Sequence, residues 1–271
     1  MTLKIHHLEL FTQRCEIAAT LNGVPIANVR STDRHTDHFA PPVNPFLIGE
    51  GNVLEVSISP APLEDGETTE WAEAKVEAAV RVFDKGGIVV PGGGGPAITE
   101  VDFAPELAER IAQAEEDDVE LEAPQSFLHI FDNEGVSFAS ELLDAEPFDD
   151  QDALLDYAIH IRDLFAASDV DGFLAEIGPK CDVWSIAYEE PADFFRDQIR
   201  TGLETEFLPA RPIVDFERAD VYLRPIAGGR MWSLEKNPGL PLIQTPLNDE
   251  EQRMQFRIVA ALRDGQLRIV R

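Results

Sequence analysis

The sequence predicts two domains: an all-β antiparallel sandwich over residues 1–147 and an α+β domain over residues 148–271. Three observations carry this prediction. Short apolar stretches separated by turn residues recur through the first part, as in antiparallel sandwiches. After "AEPFDDQD" the apolar period changes to that of a helix. From "ADVYLRPI" onward strands return, and helices followed by consecutive strands are an α+β order.

In the first domain, "LKIHHLELF", "EIAATLNGVPIANV" and "NPFLIGEGNVLEVSI" read as strands, and Asn22-Gly23 marks a hairpin. In "WAEAKVEAAVRVF", Ala72, Ala74, Val76, Ala78, Val80 and Val82 alternate with Glu73, Lys75, Glu77 and Arg81, the period of a half-buried strand. "SFLHIF" and "VSFASELL" read as a further hairpin around Asp132-Asn133-Glu134-Gly135. The acidic "PELAERIAQAEEDDVELE" between strands reads as a surface helix.

In the second domain, Leu154, Leu155, Ala158, Ile161, Leu164 and Phe165 follow helical spacing behind Asp149 and Asp150, whose carboxylates suit the free N–H groups of a helix start. Ser168 and Asp169 cap a second, short helix that Gly178 and Pro179 are expected to end. A third runs through "PADFFRDQIRTGLETEFL", with Phe195, Ile199, Leu203 and Phe207 on one stripe. The strands "ADVYLRPI", "GRMWSLE", "LPLIQTP", "FRIVAAL" and "QLRIVR" complete the chain, with turns at Gly228-Gly229 and Asp264-Gly265.

Composition excludes whole classes of partner. With 22 basic against 51 acidic residues the chain carries −29, which repels nucleic acid and anionic membranes. Residues 1–147 hold 8 basic and 28 acidic residues, net −20, against 14 and 23, net −9, in the remainder. Only five of the basic residues are lysine, a pattern shared by salt-adapted surfaces and by generally acidic bacterial proteins. The start, "MTLKIHHLELFTQRCEI", lacks the apolar run of a signal peptide and nothing resembles a membrane span, so a cytoplasmic location is expected. Cys15 and Cys181 form neither a disulfide framework nor a zinc spacing and read as free thiols.

Three stretches invite a chemical reading. "AASDVDGFLAE" has Asp169, Asp171 and Gly172 in calcium-loop register, but Ala167 and Gly178 stand where the first and the bidentate carboxylates belong, so a helix start is expected instead. "RSTDRHTDHFAPP" gathers Asp33, His35, Asp37 and His38, with His6 and His7 as further candidate ligands, and reads as a solvated loop. "VVPGGGGPAITE" has Pro96 and Ala97 where a phosphate loop needs Lys and Ser or Thr; Gly92, Gly94 and Ala97 fit the dinucleotide fingerprint without the helix that should follow, so a surface turn is expected. No serine-hydrolase, zinc-protease or kinase signature is present.

"ALLDYAIHIRDLFAASDVDGFLAEI", followed by the closing hairpin "FRIVAALRDGQLRIVR", resembles the nuclear transport factor 2-like superfamily over residues 148–271. The resemblance implies a curved antiparallel sheet wrapped around helices into a cone with an internal cavity. Residues 1–147 resemble sandwich domains only in general. Acid–base chemistry inside such a cone makes Tyr157, His160, Asp163, Trp184, Tyr188 and Trp232 the candidate ligand-binding residues. Leu154, Ala158, Ile161 and Phe165 already define the buried stripe, which places His160 and Asp163 on the solvent side. The bulk of the third helix and of Val221, Leu223, Trp232, Ile243 and Phe256 suggests a mainly apolar cavity.

The expected function is a binding or assembly protein with no cofactor and no metal, taking a small apolar ligand or a protein partner through the cone, and compatible with a homo-oligomer. The alternatives are a small-molecule isomerase, dehydratase or hydrolase, and an acidic interaction protein that masks a basic partner.

Overall fold

The computed structural model describes residues 3–30, 36–63, 66–143, 145–208, 213–247 and 253–271. The fold is mixed α+β with antiparallel sheets, and the chain divides into two compact units, Met1–Phe138 and Ala139–Arg271.

The first unit contains β1 (Lys4–Gln13), β2 (Cys15–Leu21), β3 (Val24–Arg30), β4 (Thr36–Phe39), β5 (Asn52–Pro60), β6 (Lys75–Asp84), β7 (Ala97–Asp102), α1 (Ala104–Glu116) and β8 (Gln125–Phe131). They form two four-stranded antiparallel sheets, ordered β4-β1-β6-β7 and β3-β2-β5-β8. β2 and β5 bury every second residue: Ile17, Ala19 and Leu21 on one, Leu54, Val56 and Ile58 on the other. Each large side chain among them gains about 1.5–3 kcal/mol from burial, so a one-residue slip would expose all six and the register is fixed. The expected hairpin joins β2 to β3: Leu21 pairs with Val24, and Asn22 and Gly23 take φ of 53° and 79°, as a tight primed turn requires. α1 is the acidic surface helix.

"VSFASELL" is not a strand. Its last five residues form α2 (Ala139–Leu143), with Leu142 fully buried. An apolar run this short fits either period, since Phe138 and Leu142 are also one helical turn apart. α2 belongs with the second unit, where Arg263 Nη2 donates to the Glu141 carbonyl at 2.9 Å. The units therefore divide after Phe138, whereas the sequence reading places its boundary after Pro147.

The second unit continues with α3 (Gln151–Ala166), α4 (Val170–Tyr188), α5 (Phe194–Gly202) and a π-helical turn over Leu203–Phe207. Then come β9 (Tyr222–Ile226), β10 (Met231–Asn237), β11 (Leu240–Pro241), β12 (Ile243–Gln244), β13 (Gln255–Phe256), β14 (Ile258–Arg263) and β15 (Gln266–Ile269). The main sheet runs β11-β10-β14-β15 with β9 also on β10, and β12 pairs with β13. Both helix caps read from sequence are made: Asp150 accepts the Ala153 N–H at 3.0 Å and Asp169 the Gly172 N–H at 2.9 Å. A Cβ at Gly172 would stand 2.4 Å from the Asp169 carboxylate, so this glycine serves the cap.

Pro179 does not end the second helix. α4 passes through it to Tyr188. The proline removes one backbone donor at a cost of roughly 3 kcal/mol, but Ile177, Cys181, Val183 and Ala187 on either side are all buried, and tertiary packing outweighs the local break. The stripe of the third helix packs as expected: Leu203 and Phe207 are buried and Phe195 and Ile199 lie against the same core. Trp232, Ile243 and Phe256, expected to line an apolar cavity, belong to that core, and Phe173 meets Phe256 edge-on at 5.1 Å between ring centroids. Among the described residues no helix is long and apolar enough to cross a membrane.

Candidate functional site

α3 presents Tyr157 and His160 on one face, being three residues apart. Both meet Glu176 of α4. Tyr157 Oη donates to Glu176 Oε2 at 2.9 Å, and Arg268 Nη1 from β15 donates to the same oxygen at 3.0 Å. His160 Nε2 stands 3.4 Å from the other carboxylate oxygen. Glu176 is only 9% exposed, and these hydrogen bonds satisfy its buried oxygens. Burial, reinforced by the Glu176 charge, pushes the Tyr157 phenol far above its ordinary range. Tyr157 therefore keeps its proton and acts as a fixed donor, poorly suited to acid–base exchange near neutral pH.

The other sequence candidates lie elsewhere. Asp163 is exposed and accepts from Arg162 Nε and Nη2 at 2.9 and 2.7 Å. Trp184 and Tyr188 form an aromatic group with Phe195, at 5.5 and 5.9 Å between ring centroids, and burial raises the Tyr188 phenol. Trp232 sits in the core with its indole N–H donating to the Phe148 carbonyl at 2.6 Å. Sequence reasoning missed Glu176 and Arg268. The signal for Glu176 was present: it stands three residues after Phe173 on the apolar stripe of α4, a position where a carboxylate must be buried.

The calcium-like stretch is accounted for by its partners. Asp169 caps α4, and Asp171 accepts from Arg200 Nη2 at 2.5 Å.

In the first unit two motifs that the sequence keeps apart share a cleft of about 650 Å³. Glu9 and Phe11 of β1, Arg81 of β6 and Glu100 of β7 line it together with His38 and Gly92. The glycine-rich turn is anchored there: the Gly92 N–H and Arg81 Nε both donate to Glu9, and Arg81 Nη1 donates to the Gly95 carbonyl at 3.0 Å. A Cβ on Gly92 would approach the His38 ring to 3.2 Å, so glycine permits this close seat. Burial alone would raise the Glu9 carboxyl, but the bonds from Arg81 and Gly92 outweigh it and hold the group below its usual range. Arg81 also reaches Glu100 at 2.8 Å, so its guanidinium is committed to carboxylates of the cleft.

Among the described residues no three His, Cys, Asp or Glu side chains gather as a metal would require. Asp33 and His35 lie outside the described residues. His6 bonds Asn44 at 3.0 Å, His7 bonds the Ala40 carbonyl at 2.8 Å, and His38 packs edge-on to Phe11, so these three rings serve separate contacts.

Comparison with known proteins gives no relative. No family model, curated protein or solved structure matches the chain.

Proposed function

We propose that this is a binding protein without catalytic activity of its own, a β-sandwich joined to a nuclear transport factor 2-like cone that takes a small ligand or a protein partner. One observation carries the reading. The sequence candidate Tyr157 is consumed in holding the structure: with Glu176 and Arg268 it ties α3, α4 and β15 together, and the phenol is held in its protonated form. An enzyme site needs a group poised to exchange a proton near neutral pH. The order of helices packed on an antiparallel sheet supports the cone.

Thermal-shift screening of the full chain against small carboxylates, phosphates and neutral aromatics tests this. The expected result is a saturable stabilisation by one ligand class that survives Tyr157→Phe. Turnover of a screened compound that Tyr157→Phe abolishes, with the fold intact, overturns it.

A further inference from the structure

The cleft of the first unit is a hollow in one face of the β4-β1-β6-β7 sheet. Strand register sets His38, Phe11, Glu77 and Asp102 side by side in one row across β4, β1, β6 and β7. The adjacent row on the same face is Glu9, Ala79 and Glu100, because residues two apart along a strand point the same way. Ala79 is the smallest side chain of the two rows and has larger ones on every side, so the face dips there. It is 7% exposed and lines the cleft. At about 650 Å³ the hollow has the size of a small-molecule site.

The longer row is aromatic at one end and acidic at the other. The Phe11 ring is half-buried and meets His38 edge-on at 4.9 Å between centroids. Glu77 and Asp102 are exposed and directly opposite each other, and like charges in that position destabilise a sheet. Glu9 and Glu100 are bonded to Arg81, which offsets the guanidinium charge. Asp102 commits Oδ1 to the Ala104 N–H at 2.9 Å. A cation seated over Ala79 therefore lies between carboxylates that form charge-assisted hydrogen bonds and a ring that attracts positive charge. Among the described residues no three carboxylate or imidazole groups converge as a metal ion requires, whereas the Phe11 ring offers apolar surface to an organic cation.

We infer that this cleft binds a small organic cation, with its ammonium or guanidinium group over Ala79, its N–H groups on Glu77 and Asp102, and its apolar part against Phe11. The site lies in the first unit, apart from the residues on which the reading above rests. Its far wall is set before the ligand arrives, since Glu9 holds both Arg81 and the Gly92 N–H. Preorganisation of this kind lowers the cost of binding.

Calorimetric titration of the full chain with benzylamine, benzylguanidine, neutral benzyl alcohol and magnesium chloride, at constant ionic strength, tests the site. Saturable binding of one organic cation per chain is expected. Glu77→Gln removes a carboxylate, and Ala79→Val fills the hollow without changing charge; each should weaken binding about tenfold. Glu116→Gln on α1, an equal change of charge outside the cleft, should leave the affinity within about twofold. Glu77 is exposed, so Glu77→Gln decides the matter even where Ala79→Val fails to fold. Tighter binding of benzylamine identifies an ammonium site, and tighter binding of benzylguanidine a site for the planar group. Absence of saturable binding by either cation, binding of magnesium alone, or equal binding of benzyl alcohol overturns the inference. Full affinity in a folded Ala79→Val overturns it as well. So does a loss in Glu116→Gln as large as that in Glu77→Gln, which is the response of a net charge of −29 and not of a site.

Discussion

Tyr157 and Glu176 stand 19 residues apart in sequence and 2.9 Å apart in space, and their bond joins the first long helix of the second unit to the next. Hydrogen bonds to a charged acceptor contribute about 1.5–3 kcal/mol net. Tyr157→Phe is therefore expected to cost about that much in chemical denaturation without changing the fold. Glu176→Leu should cost more than Tyr157→Phe, because it strips Arg268 of its carboxylate as well. A double variant that costs the sum of the two single changes would show that the pair does not interact.

The acidic first part predicts a response to salt. Net −20 over residues 1–147 produces self-repulsion, and the Debye length shrinks from about 10 Å at 0.1 M to about 3 Å at 1 M salt. The Tm of the full chain should rise as chloride is added over that range. A flat curve would mean that pairs such as Arg81 with Glu9 and Glu100 already neutralise the charges that matter.

His6 predicts a pH response of opposite origin. It is 3% exposed and bonded to Asn44, and burial, aided by the neighbouring His7 charge, lowers its pKa below the ordinary 6.5 despite the Asn44 bond. Because the unfolded chain then binds the proton more readily, His6 contributes stability above 6.5 that is lost as pH falls through the lower folded value. Carboxylates also titrate on that path, so the informative quantity is a difference. His6→Gln should show a smaller drop in Tm between pH 7 and pH 5.5 than the parent, and an equal drop would remove His6 as a cause.

The features legible in the sequence were local ones. Asp150 and Asp169 act three residues along the chain, and the stripe from Phe195 to Phe207 repeats every turn, so short-range geometry determines them. Pro179 misled because its local cost is visible and the burial that outweighs it is not. The cleft joining His38 to Gly92 depends on which strands pair and in what register. Spacing along one chain carries no such information, since its lining comes from different elements.

Lys180 yields the last prediction, on stability in the absence of ligand. Its pKa is lowered to about 8 from an ordinary 10.5, chiefly by burial and then by Arg271 and Arg257. Between those two values the unfolded chain binds more protons than the folded one, so folding stability rises with pH across that window. Below about 8 the charged lysine imposes its full cost. Lys180→Met removes the charge and sets a thioether between the Trp184 and Phe256 rings, where sulfur–aromatic contact is favourable. The variant should melt about 2 °C or more above the parent at pH 7. As pH rises toward 10.5 that advantage should shrink, because the parent lysine then loses its proton. Heat denaturation of both proteins from pH 7 to pH 10 measures the difference directly. A variant less stable than the parent at pH 7, or an advantage independent of pH, would show that Lys180 is not held against its charge.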